Sequence, residues 1–323
     1  MKKLTCIILT VILSLSLFAG CGAKTDDGVI NVAIVQQLDH ASLDEIRKAI
    51  EAELDNIAAQ KGLTVEYKHF NGQNDSTILN QIGSQVVADQ YDIIIPIATT
   101  AAQCMVTAAE GTNIPIVYAA ISDPVGAGLT GFDNVTGVSD ALNTNQIMDM
   151  MFAADPGIEC VGLLYSLSEP NSAMPIAEAK AYLEAKGIAY IEKTGHSVDE
   201  VTAAVAALVG RCDAVFTPTD NAIMNVAPTV AETLLNAGIA HYTGADSFVA
   251  AGSFVTCGVN YTELGTYAAN MAMDIVLGGA VPEFHVMEGG IITVNTDTAA
   301  ALGLDYTVFN SMASTIVPVE TAE

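Results

Sequence analysis

The residues best able to do chemistry sit in short polar runs, each placed just after an apolar stretch. Gln36-Gln37-Leu38-Asp39-His40 follows residues 32–35, Thr99-Thr100-Ala101-Ala102-Gln103 follows 92–98, and Ser122-Asp123-Pro124 follows 114–120. Farther on come Ser166-Leu167-Ser168-Glu169-Pro170-Asn171-Ser172, Pro218-Thr219-Asp220-Asn221 and Gly244-Ala245-Asp246-Ser247. Each run alone reads as a helix cap or a turn. Together their hydroxyls, amides and carboxyls offer donors and acceptors to a small zwitterion. A helix opening at Thr99 and Thr100 attracts a carboxylate, because its first N–H groups have no intrahelical partner and carry the positive end of the helix dipole. Asp123, Asp220, Asp246 or Glu169 can face an ammonium, and Asn171 and Asn221 can orient it. Gln37, Ser122, Ser168 and Thr219 complete the candidate set, and His40 is the one histidine of five at such a position.

Other chemistry lacks its residues. No G-x-G-x-x-G follows the first strand, where Gln36-Gln37-Leu38-Asp39-His40 stands instead, and there is no G-x-x-x-x-G-K-[ST], no H-E-x-x-H and no S-x-x-K, so neither a dinucleotide cradle nor an NTPase phosphate loop is expected. Gly137-Val138-Ser139-Asp140-Ala141 falls one residue short of a nucleophile elbow. A secreted hydrolase using Ser139 is the competing reading, and it lacks a local base; a strand end followed by a cap at Ser139 or Asp140 is the plainer one. No Cys/His cluster with metal-ligand spacing occurs, and no cofactor is expected. Asp and Glu number 37 against 11 Lys and Arg, a formal charge of −26, which repels phosphate backbones and argues against a nucleic-acid partner.

These runs need elements to hold them. Residues 32–35, 65–70, 92–98, 114–120 and 135–138 read as strands rich in Val and Ile, with helices over 42–59, 75–88 and 100–109 between them. A second set repeats the pattern. Its strands are 161–165, 189–193, 214–217, 240–243, 253–259 and a last one at 291–294; its helices are 143–152, 171–185, 197–209, 221–236 and 261–277. Ser42-Leu43-Asp44-Glu45 and Ser197-Val198-Asp199-Glu200 have capping-box spacing. Continuous apolar strands alternating with helices predict an α/β chain with parallel sheets covered on both faces. No linker-like composition separates the two sets, so two intimately joined lobes are expected, residues 29–137 plus 247–278 and residues 138–246 plus 279–323. Ligands in such sheets bind beyond the carboxyl ends of the strands, where the polar runs fall.

The first 20 residues read as a signal segment: Lys2 and Lys3, an apolar run over 4–18, then Leu17-Phe18-Ala19-Gly20-Cys21. The small residues before Cys21 resemble a lipobox, with Phe18 where Leu is usual. That resemblance implies cleavage before Cys21, a lipid on its thiol, an extracytoplasmic location on the bacterial membrane, and a tether over 21–28. Cys6 lies in the signal segment, leaving Cys104, Cys160, Cys212 and Cys257 in apolar stretches. Buried free thiols are favoured for them, since a chain of this size and 51% hydrophobic content needs no covalent staples.

At the loops the chain resembles the ABC-transporter substrate-binding lipoproteins that include tryptophan and other aromatic amino-acid binders. The likeness is carried by Ala98-Thr99-Thr100-Ala101-Ala102-Gln103, Ser122-Asp123-Pro124-Val125-Gly126-Ala127-Gly128-Leu129, Asn134-Val135-Thr136-Gly137-Val138-Ser139-Asp140, Pro218-Thr219-Asp220-Asn221 and Tyr261-Thr262-Glu263-Leu264-Gly265. Asp39-His40-Ala41-Ser42-Leu43-Asp44 looks like the family's first-loop motif, with Ser42 at a position often apolar. The resemblance implies two Rossmann-like lobes of the periplasmic-binding-protein type, joined by a three-crossing hinge and closing on an amino acid, and a monomer that delivers its ligand to a permease with a separate ATPase. A ligand sensor, or a binder of another small solute such as a nucleoside or peptide, uses the same fold.

Overall fold

The computed structural model describes residues 28–313 and 315–322. The signal segment, the lipid site Cys21 and all but the last residue of the expected tether lie outside the described residues. Among those described, no helix is long and apolar enough to cross a membrane.

Two sheets form. The first has the order β11-β5-β4-β3-β1-β2, from β1 (Val29–Gln36), β2 (Thr64–Asn71), β3 (Ile93–Ile97), β4 (Ile116–Ala119), β5 (Val135–Ser139) and the two-residue β11 (His285–Val286). All its pairings are parallel. Its central strands are apolar on both faces, and every residue of β3 is buried. Helices α1 (Ala41–Lys61), α2 (Ser76–Ala88) and α3 (Thr99–Ala108) connect its strands.

The second sheet has the order β13-β12-β10-β9-β8-β6-β7. It is built from β6 (Cys160–Tyr165), β7 (Ala189–Thr194), β8 (Ala214–Thr217), β9 (Ala240–Thr243), β10 (Val255–Gly258), β12 (Ile291–Asn295) and β13 (Thr315–Val319). It is parallel from β7 through β10. It then turns antiparallel at β10–β12, where the chain has returned from the other lobe. Here α4 (Thr144–Ala154), α5 (Ala173–Lys186), α6 (Val198–Ala206), α7 (Asn221–Met224), α8 (Ala227–Asn236) and α9 (Asp246–Ala250) follow in order.

The chain crosses between lobes three times: after β5, after β10, and between β11 and β12. Sheet membership corrects the expected division. Residues 247–278 do not all belong with the first lobe, because Val255 of β10 pairs with Tyr242 of β9 and Val294 of β12. Only α10 (Tyr261–Val276) returns to the first lobe. Gly265 lets it lie against α1: a Cβ there would sit 2.5 Å from the Ile46 carbonyl oxygen and 2.8 Å from the Ala49 Cβ. Residues 279–323 are also divided, since β11 pairs with β5 of the first sheet. A short apolar strand shows no preference in its sequence for one parallel sheet over another.

Two local expectations change as well. Ser42 is not the cap of α1; that helix opens at Ala41 after His40, with no side-chain cap. Residues 221–236 are two helices, broken at Asn225–Val226, with Pro228 in the first turn of α8, where a missing N–H costs nothing. Ser197 does cap α6, accepting the Glu200 N–H. The four cysteines Cys104, Cys160, Cys212 and Cys257 are free thiols, the second half-buried and the others buried.

Candidate functional site

The carboxyl ends of the strands in both sheets face one tight cleft between the lobes, with a cavity of about 30 Å³. Of the candidate residues, His40, Thr99, Ser122, Asn171, Thr219, Asp220 and Asn221 line it. Asp140, Tyr261, Ser42, Ser247, Met224 and Phe248, which strand-end reasoning did not assign to a ligand, line it too.

Backbone geometry is unusual at the mouth of β3 and β4. Ala98 and Ala120 hold φ of 76° and 58°, in the left-handed region that disfavours a Cβ, and both form cavity wall. Strain of this kind persists where surrounding structure fixes a site. The turn at Ala98 leads straight into α3, which presents its N-terminus to the cleft with Thr99 buried beneath it.

Polar groups on the cavity wall fall into two strings. One begins at Asp140 on the crossing after β5. Its carboxylate accepts the Ser122 hydroxyl at 3.1 Å and the hydroxyl of Tyr261. Ser122 also meets the Thr219 hydroxyl of the other lobe at 3.1 Å, and the Thr219 carbonyl accepts the Asn171 amide. The other string begins at His40, whose Nε2 lies 3.0 Å from Asn221 Oδ1. The Asn221 amide donates to Glu169 at 2.7 Å, and Glu169 accepts Gln37 Nε2 at 3.1 Å. Gln37 Oε1 in turn accepts the Thr100 N–H at the start of α3.

The acids differ sharply. Asp220 is fully buried, but its oxygens are already engaged by the Ser166 N–H, the Ser172 hydroxyl and the Ile223 N–H. It caps α7 and ties two loops together. Among the described residues no cation pairs with Asp140, and burial pushes its pKa up to about 6. Burial, with the charge of Asp220 nearby, also pushes Glu169 up. Three buried polar atoms of cavity-lining residues have no partner: His40 Nδ1, Thr99 Oγ1 and Asn171 Oδ1. Buried polar groups are almost always satisfied in native structures, and three of the seven unpartnered ones among the described residues belong to residues that line this one cavity.

Six candidates lie outside the cavity wall. Gln37, Thr100 and Glu169 belong to the second string, one shell behind. Asp123 accepts the Gly126 N–H and sets its turn. Ser168 is exposed and bonded to Ser166. Asp246 opens α9 beside Glu45, where burial pushes its pKa up to about 6. Strand-end reasoning passed over Asp140 because Ser139-Asp140 reads equally well as a helix cap, and the crossing that follows it carries no helix until Thr144. Ser139 Oγ accepts the Ala141 N–H in that turn, a local structural use of its hydroxyl.

Two α/β lobes, three crossings and one polar cleft between strand ends define a solute-binding protein of the periplasmic-binding-protein type. The sequence model of the family described as ABC transporter substrate binding protein matches residues 31–312, and the chain belongs to that family. It is 29% identical over 322 residues to a tyrosine-binding protein of Clostridioides difficile, covering 94% of this chain and 93% of that one. It superposes with a TM-score of 0.82 on an ABC domain in complex with L-Trp from Streptococcus pneumonia, at 29% identity over 89% of this chain and 99% of the other. Against a ligand-free, open substrate-binding protein with adhesive properties from Clostridium difficile the TM-score is 0.68, at 28% identity over 91% of this chain and 100% of the other.

Proposed function

We propose that this chain captures an amino acid with an aromatic side chain outside the cytoplasm and hands it to a membrane permease driven by a separate ATPase. One observation carries the ligand reading: three unpartnered buried polar atoms and an uncompensated buried carboxylate share one cavity. Asp140 faces the ammonium. Thr99 and the N-terminus of α3 take the carboxylate. Leu43, Met224 and Phe248 supply apolar wall for a ring, with Met224 the side chain most able to move aside. The relatives named for tyrosine and crystallised with L-Trp agree in ligand class. No covalent step is involved; ligand contacts both lobes and shifts the population toward the closed form.

A thermal-shift and calorimetric screen of amino acids, nucleosides, sugars and short peptides tests this. A ligand of the folded state at a hundredfold excess over its Kd adds about 2.7 kcal/mol, read as a raised melting point. Tyr or Trp is expected to give the largest shift. A nucleoside or peptide giving the only shift would replace the amino acid with that solute.

The anchor is proposed on Cys21 and its flanking residues. Replacing Cys21 with Ala is expected to move the protein from the membrane fraction of cells to the medium or periplasm, as two acyl chains anchor stably and none does not. Retention in the membrane fraction would contradict the lipid site.

A further inference from the structure

We propose that Glu45 of the first lobe and Asp246 of the second form a like-charged pair that opposes closure of the empty cleft. Such a pair acts on the motion of the lobes, whichever solute the cleft takes.

The two acids flank a short polar contact between the lobes. Ser42 in the first turn of α1 meets Ser247 in the first turn of α9 at 2.7 Å. Glu45 lies one turn along α1 from Ser42, and Asp246 directly precedes Ser247. Glu45 and Asp246 also line one cavity of about 420 Å³, bounded by the crossing after β10 at Gly258, Val259 and Asn260. That cavity shares Ala245 and Tyr261 with the wall of the cleft. Two hydroxyl oxygens at 2.7 Å are already at hydrogen-bond contact. The lobes cannot approach further there, so opening at this point can only part the acids.

Among the described residues neither Glu45 nor Asp246 has an ion-pair partner. Arg47, on the same helix as Glu45, is engaged by Asp44 and Glu51. Glu45 accepts the Thr262 hydroxyl at 2.6 Å, a neutral donor. Of the elements packed against α9, α1 brings Glu45, while β9, β10, β12 and α8 bring no cation. Burial keeps His241 and Tyr242 of β9 and the Cys257 thiol of β10 uncharged, and Glu232 of α8 is exposed. Tyr261, at the head of α10, stays neutral as well, since burial and the nearby acids push its hydroxyl well up. Burial and then the Glu45 charge push Asp246 up to about 6, as expected of a carboxylate that loses water while facing a second one. At neutral pH Asp246 is still ionised, so the closed form carries both the repulsion and the lost hydration. Parting the lobes relieves both.

Closure needs such an opposing force. The closed cleft has a cavity of about 30 Å³, room for little more than water, so a solute must enter an open form. Four direct hydrogen bonds hold the empty lobes together, and the acid pair offsets part of what they contribute.

Solution scattering of Asp246→Asn, Glu45→Gln and the double variant, all without ligand, tests the inference. Each is made in the parent and in a Glu169→Ala background, which lacks one closing link. At pH 7.5 either single substitution is expected to raise the closed-to-open ratio at least about tenfold in one background or both, read as a lower radius of gyration, because like charges in contact across an interface are strongly unfavourable. The double variant is expected to match the singles, since removing either charge removes the same repulsion. Protonation of Asp246 as pH falls through about 6 also removes it, so the parent and Asp246→Asn should scatter alike at pH 5. Asp140 and Glu169 titrate in both proteins and drop out of that comparison. Unchanged scattering in both backgrounds, a difference that persists at pH 5, or a double variant whose effect is the sum of the singles overturns the pair. No ligand enters the measurement, so any of these results leaves the amino-acid reading to its own screen.

Discussion

With Asp140 replaced by asparagine, affinity for the captured amino acid is expected to fall by about thirtyfold or more. The side chain keeps its shape and can still accept the Ser122 hydroxyl, now 3.1 Å away, so the change is chiefly one of charge. Removing one member of a buried charge pair costs about 2–5 kcal/mol, because the other charge remains desolvated and unpaired. The ammonium would be that stranded charge. Asp123→Asn serves as the control, since Asp123 sets a turn outside the cavity, and should bind like the parent.

The same substitution should act in the opposite sense on the unliganded protein. Burial lifts the Asp140 pKa from its ordinary value to about 6, so the folded state holds a proton that the unfolded state has already released. The stabilising contribution of that proton is complete below about pH 4 and lost as pH rises through about 6. At pH 7 the parent holds a buried, unneutralised carboxylate. The asparagine variant is then more stable without ligand, by up to about 3 kcal/mol. Ligand affinity in the parent should weaken as pH falls below about 6, approaching tenfold per unit, because the ammonium needs the ionised form. Chemical denaturation and calorimetry across pH 4–8 measure both. An asparagine variant that binds as well as the parent would move the ammonium elsewhere, with Asp220 the next acid on the wall.

The sequence exposed this site unevenly, for physical reasons. Strand ends are legible because β-rich apolar runs stop abruptly at polar residues. His40, Thr99, Ser122, Asn171, Thr219, Asp220 and Asn221 were reachable that way, and all seven meet at one cavity. Depth was not legible. Asp140, Glu169 and Asp220 look alike in sequence, yet one faces the cavity unpaired, one sits behind it and one is consumed as a cap. The two-residue β11, the five-residue α9 and the terminal β13 carry too few residues to show a period. The second crossing was misplaced for another reason: the strand expected at 253–259 was assigned to the first lobe, whereas β10 pairs in the second sheet. Ser42 was misread because capping-box spacing in α1 competes with a partner no local pattern reveals: its hydroxyl bonds Ser247 across the cleft at 2.7 Å.

That contact belongs to a set that holds the lobes together directly. Gln37 to Glu169, His40 to Asn221, Ser42 to Ser247 and Ser122 to Thr219 all join the first lobe to the second. Glu169 carries the most weight among them, since it binds Gln37 across the cleft and fixes Asn221 for His40. Glu169→Ala is therefore expected to open the unliganded cleft, raising the radius of gyration in solution scattering. It should also weaken ligand about 10- to 100-fold, as hydrogen bonds to charged groups contribute about 1.5–3 kcal/mol. Protonation should act in the same direction. Burial and the Asp220 charge push the Glu169 pKa up to about 8, and protonation turns one acceptor oxygen into a hydroxyl. The direct interlobe bonds are therefore expected to weaken as pH falls through about 8, and to be strongest above it. The two acids separate cleanly in experiment, because Asp140→Asn changes affinity without opening the free protein, whereas Glu169→Ala opens it before any ligand is added. If Glu169→Ala scatters like the parent without ligand, the direct bonds do not set the closed state, and ligand contacts alone must close the lobes.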